Sequence, residues 1–320
     1  MSLVAPKDVA DFTQAFPLRP FALRHAFADN PLFTLPRIVD LVRQLPSDQI
    51  EYNSGKAAIS QDPYAVPTLD LDPAEVVRQI ETAGAWMVLK QIEIVPAYKA
   101  LLEEALMSVA RARGHLSLEE AGFEDIRGFL FVSSAESTTP FHADTEDNFF
   151  VHIFGEKFFH VYDNRDRSVA SEDALEDVVA KHRNLTYDPA FDAKGTTYHL
   201  FPGDGVFVPY QWPHWVRTGA SHSISLAITW KTKAVRRRND IFTVNSLLRG
   251  FGLPQPAPGR NPALDQVKVA ALRTARGVVA PLRRSEGMRR LLRRIALGRN
   301  ANYYYRGDDK KPAKKTARAS

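Results

Sequence analysis

Three side chains in this sequence have the types and spacing to hold a metal ion. His142 and Asp144 lie in Thr138-Thr139-Pro140-Phe141-His142-Ala143-Asp144, and His214 lies far downstream in Gln211-Trp212-Pro213-His214-Trp215. The chain contains no cysteine, which excludes disulfides and thiolate metal sites. Two imidazoles and one carboxylate, without sulfur, are the donor set of a non-haem Fe(II) centre that keeps positions open for other molecules. A His-x-Asp pair on an extended segment turns both side chains to one face, because strand side chains repeat every two residues. The third ligand must then come from another strand. His214 is the candidate, since the stretch Phe201 to Pro209 reads as a turn and a short apolar strand that delivers it to a barrel mouth.

The elements that must position these residues are short strands. Phe129 to Val132, then 148–154, 157–162, 205–209 and 223–230, are aromatic or β-branched segments separated by Gly, Pro and Asp turns. That spacing predicts a double-stranded β-helix of the cupin or jelly-roll type, mainly β with flanking helices. Between the strands, residues 163–198 form a polar insertion with one short helix over Ser171 to Val179. The remainder of the insertion is either a lid over the site or a surface elaboration.

Helical additions precede the barrel. Leu35, Ile38, Val39, Val42 and Leu45 make one helix face, ended by Pro46. Asp72-Pro73-Ala74-Glu75 reads as an N-cap, a first-turn proline and a capping-box glutamate, with Gly84 as the stop. Ala85 to Lys90 reads as a strand, and Pro96 through Ala110 as a helix with Tyr98, Leu101, Leu102, Ala105, Leu106 and Val109 on its apolar side. The expected organisation is therefore 1–124 as N-terminal elements packed on the barrel, 125–232 as the core, 233–300 as a basic helical region, and 301–320 as a disordered basic tail.

Other residues compete for roles. Lys157 opens an apolar strand, Phe158-Phe159-His160-Val161-Tyr162, and alternation groups Lys157 with Phe159 and Val161. It is either the polar start of a strand after the Gly155 turn or the cationic partner of a desolvated anion. His152, His160, His199 and His222 rank below His214 as ligands, because none is spaced so closely with a carboxylate as His142. Tyr210 and Arg217 flank the distal histidine and are candidates to touch a substrate or cosubstrate.

Thr139-Pro140-Phe141-His142-Ala143-Asp144, Asn148-Phe149-Phe150 and Gly155-Glu156-Lys157, with the Pro202 to Pro209 segment, Trp212-Pro213-His214 and Ser223-Ile224-Ser225-Leu226, resemble the core of the jumonji-type (JmjC), cupin-like 2-oxoglutarate oxygenases. Within that family the core motif is similar to that of the asparaginyl hydroxylase acting on hypoxia-inducible factor. The resemblance covers about residues 125–232. It implies that His142, Asp144 and His214 hold Fe(II), that Lys157 pairs with the distal carboxylate of 2-oxoglutarate, that Thr139 hydrogen-bonds that carboxylate, and that Asn148 lies near the metal and cosubstrate. The implied activity is hydroxylation of a protein side chain or a small molecule. One departure is visible: the asparagine expected two residues before the last-strand tryptophan is Ile228, ahead of Trp230, which puts cosubstrate contacts on that side in question.

Charge is distributed unevenly. Residues 231–320 hold 23 Lys and Arg against 5 Asp and Glu, a net of +18, whereas residues 1–230 hold 19 against 32, a net of −13. A basic arm on an acidic body predicts an anionic partner such as RNA, a ribosome or an anionic membrane surface, or contact with the protein's own acidic surface. Leu282 to Leu297 reads as an amphipathic basic helix, and helices at 240–249 and 263–276 as a docking unit or a homodimer interface. No apolar run approaches membrane-span length and the N-terminus lacks signal-peptide character, so a cytoplasmic protein is expected. Two other functional classes share these features: a different cupin-type metalloenzyme, which would not need Lys157, and a non-catalytic cupin-like binding module using the basic arm.

Overall fold

A computed structural model describes residues 4–7, 14–62 and 69–279. Its strands are β1 (Val4–Pro6), β2 (Phe21–His25), β3 (Ile50–Ser54), β4 (Ala85–Lys90), β5 (Glu124–Ser133), β6 (Thr138–His142), β7 (Asp147–Phe154), β8 (Lys157–Tyr162), β9 (Gly195–Leu200), β10 (Asp204–Val208), β11 (His214–Thr218) and β12 (Ser223–Lys231). The helices are α1 (Leu35–Gln44), α2 (Pro73–Arg78), α3 (Pro96–Ala112), α4 (Glu172–Lys181), α5 (Lys233–Gly250) and α6 (Pro262–Val279). Two antiparallel sheets result, ordered β1-β2-β10-β7-β12-β5-β4-β3 and β6-β11-β8-β9. This is the β architecture with flanking helices expected of a cupin-like jelly roll.

The central strands β7 and β12 are buried on both faces: β7 reads as a nearly continuous apolar run, and β12 alternates large apolar residues with small or hydroxyl ones. On β12, Ile224, Leu226, Ile228 and Trp230 enter a large core that also takes Phe149, Val151 and Ile153 of β7. The alternate residues Ala227 and Thr229 line a cavity together with Asn148 and Phe150. The large core also receives Ile38 and Leu41 of α1 and Leu102, Leu106 and Val109 of α3, so the N-terminal helices buttress the eight-stranded sheet on the face away from the cavity.

Two helix caps form as their side chains require, whereas Glu75 accepts from Arg78 and Gln79 instead of closing a capping box, and α2 ends at Arg78, before Gly84. Asp72 caps α2 by accepting from the Ala74 N–H at 2.9 Å, and Ser171 caps α4 by accepting from Ala174 N–H at 3.2 Å. Gly155 turns β7 into β8 at φ +82°, and a Cβ there would lie 2.3 Å from the His222 carbonyl oxygen. Only glycine fits that turn.

The 163–198 insertion is an elaboration of the small sheet. It ends in β9, which pairs with β8 from Lys157↔Leu200 to Tyr162↔Gly195. Its Leu175, Val178 and Leu185 join Phe141, Tyr162 and Trp215 in a separate core, and none of its residues lines the cavity.

The chain divides into two compact units, residues 1–270 and 271–320. The first takes in the N-terminal elements, both sheets and α5. Of the second, the described portion is residues 271–279, the end of α6. The basic helix expected over 282–297 and the tail 301–320 lie outside the described residues. Among the described residues, no helix is long and apolar enough to cross a membrane.

Candidate active site

Backbone pairing brings the two histidines side by side. β11 pairs with β6 so that His214 faces His142, with a bulge between His214 and Val216. The imidazole centroids are 4.2 Å apart. Asp144 follows just beyond β6, and its carbonyl accepts the Gln211 N–H at 3.0 Å, tying the two ligand-bearing segments together. His142 Nε2 lies 3.7 Å from Asp144 Oδ1, and His214 Nε2 lies 3.8 Å from Asp144 Oδ2. Among the described residues these three form the one cluster of His, Asp and Glu side chains whose donor atoms, all within 4.8 Å of one another, can share a metal ion.

Backbone carbonyls set the tautomers. His142 Nδ1 is 2.7 Å from the Pro140 carbonyl, and His214 Nδ1 is 2.9 Å from that of Trp212. A carbonyl only accepts, so each Nδ1 carries the proton and donates it, leaving each Nε2 lone pair free toward Asp144. Burial, then the neighbouring His142, lowers the His214 pKa to about 4, so this imidazole is neutral near pH 7 and ready to ligate. Asn148 Nδ2 donates to Asp144 Oδ2 at 3.2 Å and orients the carboxylate.

The cluster opens onto a cavity of about 150 Å³ lined by residues of both sheets. That is roughly ten times the space one water needs on the same measure. Phe129, Phe131, Phe150 and Phe159 make it apolar, and Thr139, Glu146, Asn148, Lys157 and Thr229 supply its polar groups.

Lys157 is the most unusual of these. Its side chain is 2% exposed, and among the described residues it has no hydrogen-bond or ion-pair partner. Its Nζ lies 5.5 Å and 5.7 Å from the Phe150 and Phe131 ring centroids. Burial alone lowers its pKa to about 7. A lysine opening a strand for solubility would extend to water; this one is inside.

The cavity separates the remaining candidates. His152 is buried with Nδ1 2.9 Å from Ser225 Oγ, and His160 stacks on Trp215 with centroids 3.9 Å apart. His199 stacks on Phe158 and pairs with Glu156, and His222 stacks on Phe154. None is near enough to join the ligand cluster. Tyr210 and Arg217, expected as possible substrate contacts, lie outside the cavity lining: Tyr210 donates to Asn239 Oδ1 at 2.8 Å, and Arg217 is exposed and paired with Glu136. The Ile228 departure does not touch the cavity, because that side chain points into the large core.

Glu146, Thr229, Phe129 and Phe131 line the cavity without having been singled out from the sequence. The spacing Asp144, Glu146, Asn148 is the signal for Glu146 in the sequence, although β6 ends at His142 and β7 begins at Asp147, so Asp144 and Glu146 lie in the connection between the strands. The Glu146 carboxyl pKa is raised, chiefly by burial, and this side chain pairs with Lys231 at 3.3 Å.

Comparison with known proteins agrees with this architecture: residues 119–237 match the family model described as JmjC domain. The matched span is JmjC-like. It runs from just before β5 to the first turn of α5 and contains the ligand cluster and Lys157. Among solved structures, the X-ray structure of E. coli ycfD aligns with 92% of this chain and 73% of its own, at 13% identity and a TM-score of 0.49. No curated protein matches the chain.

Proposed function

We propose that the JmjC-like span of this chain is an Fe(II)- and 2-oxoglutarate-dependent oxygenase, a hydroxylase of a protein side chain or a small molecule. The observation that carries the reading is the fully buried Lys157 ammonium, without a partner among the described residues, in the same cavity as the His142–Asp144–His214 cluster. A buried cation without a counter-ion is costly, and a carboxylate entering the cavity would supply one.

The residues suit both groups. His142, Asp144 and His214 would hold the metal, their nitrogen and oxygen donors suiting Fe(II), though Mn(II), Co(II) or Ni(II) would also be accepted. Lys157 and Thr139 would take the distal carboxylate of 2-oxoglutarate. Bound together with dioxygen, Fe(II) and 2-oxoglutarate supply oxidative decarboxylation to succinate and carbon dioxide coupled to hydroxylation of a C–H bond. Asn148 keeps Asp144 oriented, and the four phenylalanines exclude water that would otherwise compete for the metal and weaken the charge pairing. The basic stretch 231–320 supports an additional anionic partner such as RNA, whose binding would weaken steeply with salt.

The test is succinate release by anaerobically purified protein given Fe(II), 2-oxoglutarate and oxygen, with Asp144→Ala as control. Turnover lost in the variant supports the oxygenase reading, and 2-oxoglutarate binding without turnover supports a substrate-gated form of it. Metal-dependent activity that survives Lys157→Ala would point instead to another cupin-type metalloenzyme. Failure to bind either metal or 2-oxoglutarate would leave a non-catalytic module.

A further inference from the structure

Trp86 lies on β4 of the eight-stranded sheet, whereas Thr139 lies on β6 of the four-stranded sheet, and their side chains meet across the gap. The indole Nε1–H donates to Thr139 Oγ1 at 2.9 Å. The same indole leans on Phe131, with ring centroids 6.0 Å apart. Phe131 is one of the two rings beside Lys157 Nζ. Trp86 does not line the cavity; it reaches it through Thr139 and Phe131, which do.

A threonine hydroxyl has one proton to give and two lone pairs to accept with. The Trp86 N–H occupies a lone pair and turns the hydroxyl proton away from the indole. Thr139 makes no other side-chain hydrogen bond among the described residues. Its proton is therefore left to point into the cavity, where an anion held by Lys157 can accept it. Were the indole N–H absent, the hydroxyl would be free to rotate, and its proton would no longer be committed to the cavity.

We infer that Trp86 is a positioning residue for the cosubstrate: by donating to Thr139 it converts that hydroxyl into a fixed donor for the distal carboxylate beside Lys157. The inference rests on the reading above that 2-oxoglutarate occupies this cavity. It adds to that reading a residue outside the matched domain, on a strand from the N-terminal part of the chain.

The experiment measures binding by calorimetry to the full chain loaded with Mn(II), using 2-oxoglutarate and 2-oxobutanoate, which lacks the distal carboxylate. Trp86→Phe keeps a ring against Phe131 and removes the N–H. It should weaken 2-oxoglutarate roughly fivefold, the scale of one hydrogen bond, and leave 2-oxobutanoate unchanged. In a Thr139→Val background the same substitution should add nothing, because the group it acts through is gone. Equal effects on the two ligands, additive effects of the two substitutions, or no effect of Trp86→Phe would each overturn the inference while the cosubstrate reading stands. Absence of 2-oxoglutarate binding by the wild type would overturn both.

A second measurement is independent of whether Trp86→Phe folds. The chain has four tryptophans, hence four indole N–H resonances. Thr139→Val should displace the one that donates to Thr139, and 2-oxoglutarate should displace that same resonance in the wild type. A resonance indifferent to the ligand would overturn the inference.

Discussion

Replacing Lys157 with methionine should make the ligand-free protein more stable while destroying its affinity for 2-oxoglutarate. The side chain is 2% exposed and without a partner among the described residues, and its pKa falls from 10.5 to about 7 through burial. Each pKa unit corresponds to about 1.4 kcal/mol, so the folded state carries a penalty of about 5 kcal/mol at and below pH 7 that methionine, of similar length and apolar, does not. Some of this gain will be lost to imperfect packing, leaving about 2–5 kcal/mol and a rise in Tm on the order of 10 °C. The pH dependence separates this cause from better packing. Between pH 7 and 10.5 the unfolded chain retains the lysine proton and the folded protein has released it, so wild-type stability climbs with pH relative to the variant. The lead of Lys157→Met should therefore be full at pH 7 and fade toward pH 10. Urea unfolding of both metal-free proteins at several pH values measures it. A variant less stable than wild type at pH 7, or a lead that does not change with pH, would refute the reasoning.

The same lysine should make 2-oxoglutarate binding pH-dependent: a carboxylate needs the ammonium form, so the Kd should rise about fivefold from pH 7 to 8, and a flat profile by calorimetry would count against Lys157 as its partner. Asn148→Ala removes the donor that orients Asp144 and should weaken Mn(II) binding by about tenfold, the scale of a lost supporting hydrogen bond, as read by metal titration; unchanged affinity would show that Asp144 is held by other means. Gly155→Ala meets both a φ of +82° and the His222 carbonyl at 2.3 Å, and should lower stability by about 2–4 kcal/mol in urea unfolding; a cost under about 1 kcal/mol would mean that the turn relaxes easily. Gln211→Ala keeps the backbone bond to Asp144 but removes the buried side-chain bond to Leu175, and should lower both metal affinity and, by about 1–3 kcal/mol, stability; unchanged metal affinity in titration beside the loss in urea unfolding would show that this bond does not position the site.

The site was legible in the sequence because its groups are chemically conspicuous. A histidine two residues before an aspartate on an extended segment, and a lysine in a run of aromatics, have few rivals in a chain with no cysteine. The barrel strands were legible for a related reason: β7, buried on both faces, reads as a nearly continuous apolar run, β12 alternates large apolar with small or hydroxyl residues, and β8 is largely aromatic. β6 was harder to delimit, since Thr138-Thr139-Pro140 has neither an apolar run nor a tight turn to mark it, and β9 opens with Gly195-Thr196-Thr197. These strands exist through pairing with β11 and β8, a tertiary cause that local pattern does not record. The Ile228 departure misled for a similar reason. Alternation along β12 places Ile228 and Trp230 in the large core and gives the cavity to Ala227 and Thr229, so facing depends on strand phase rather than on distance from the tryptophan.

The insertion shows how a segment outside the cavity can still bear on the chemistry. Its α4 offers the Leu175 carbonyl to Gln211 Nε2 at 3.1 Å, and Gln211 has a left-handed backbone with φ +59°. A non-glycine residue holds that conformation only where its surroundings fix it. Here a buried side-chain bond to the insertion fixes one side, and a backbone bond to Asp144 fixes the other. The strand leaving this turn begins at His214, so one strained residue sets the spacing between the carboxylate and the distal imidazole. Trp215, next in line, donates its indole N–H to Tyr162 at 3.1 Å within the same core that seats α4. A lid would have to move away from the site to admit substrate. These contacts instead tie α4 to the turn that carries the distal histidine, and none of residues 163–198 lines the cavity.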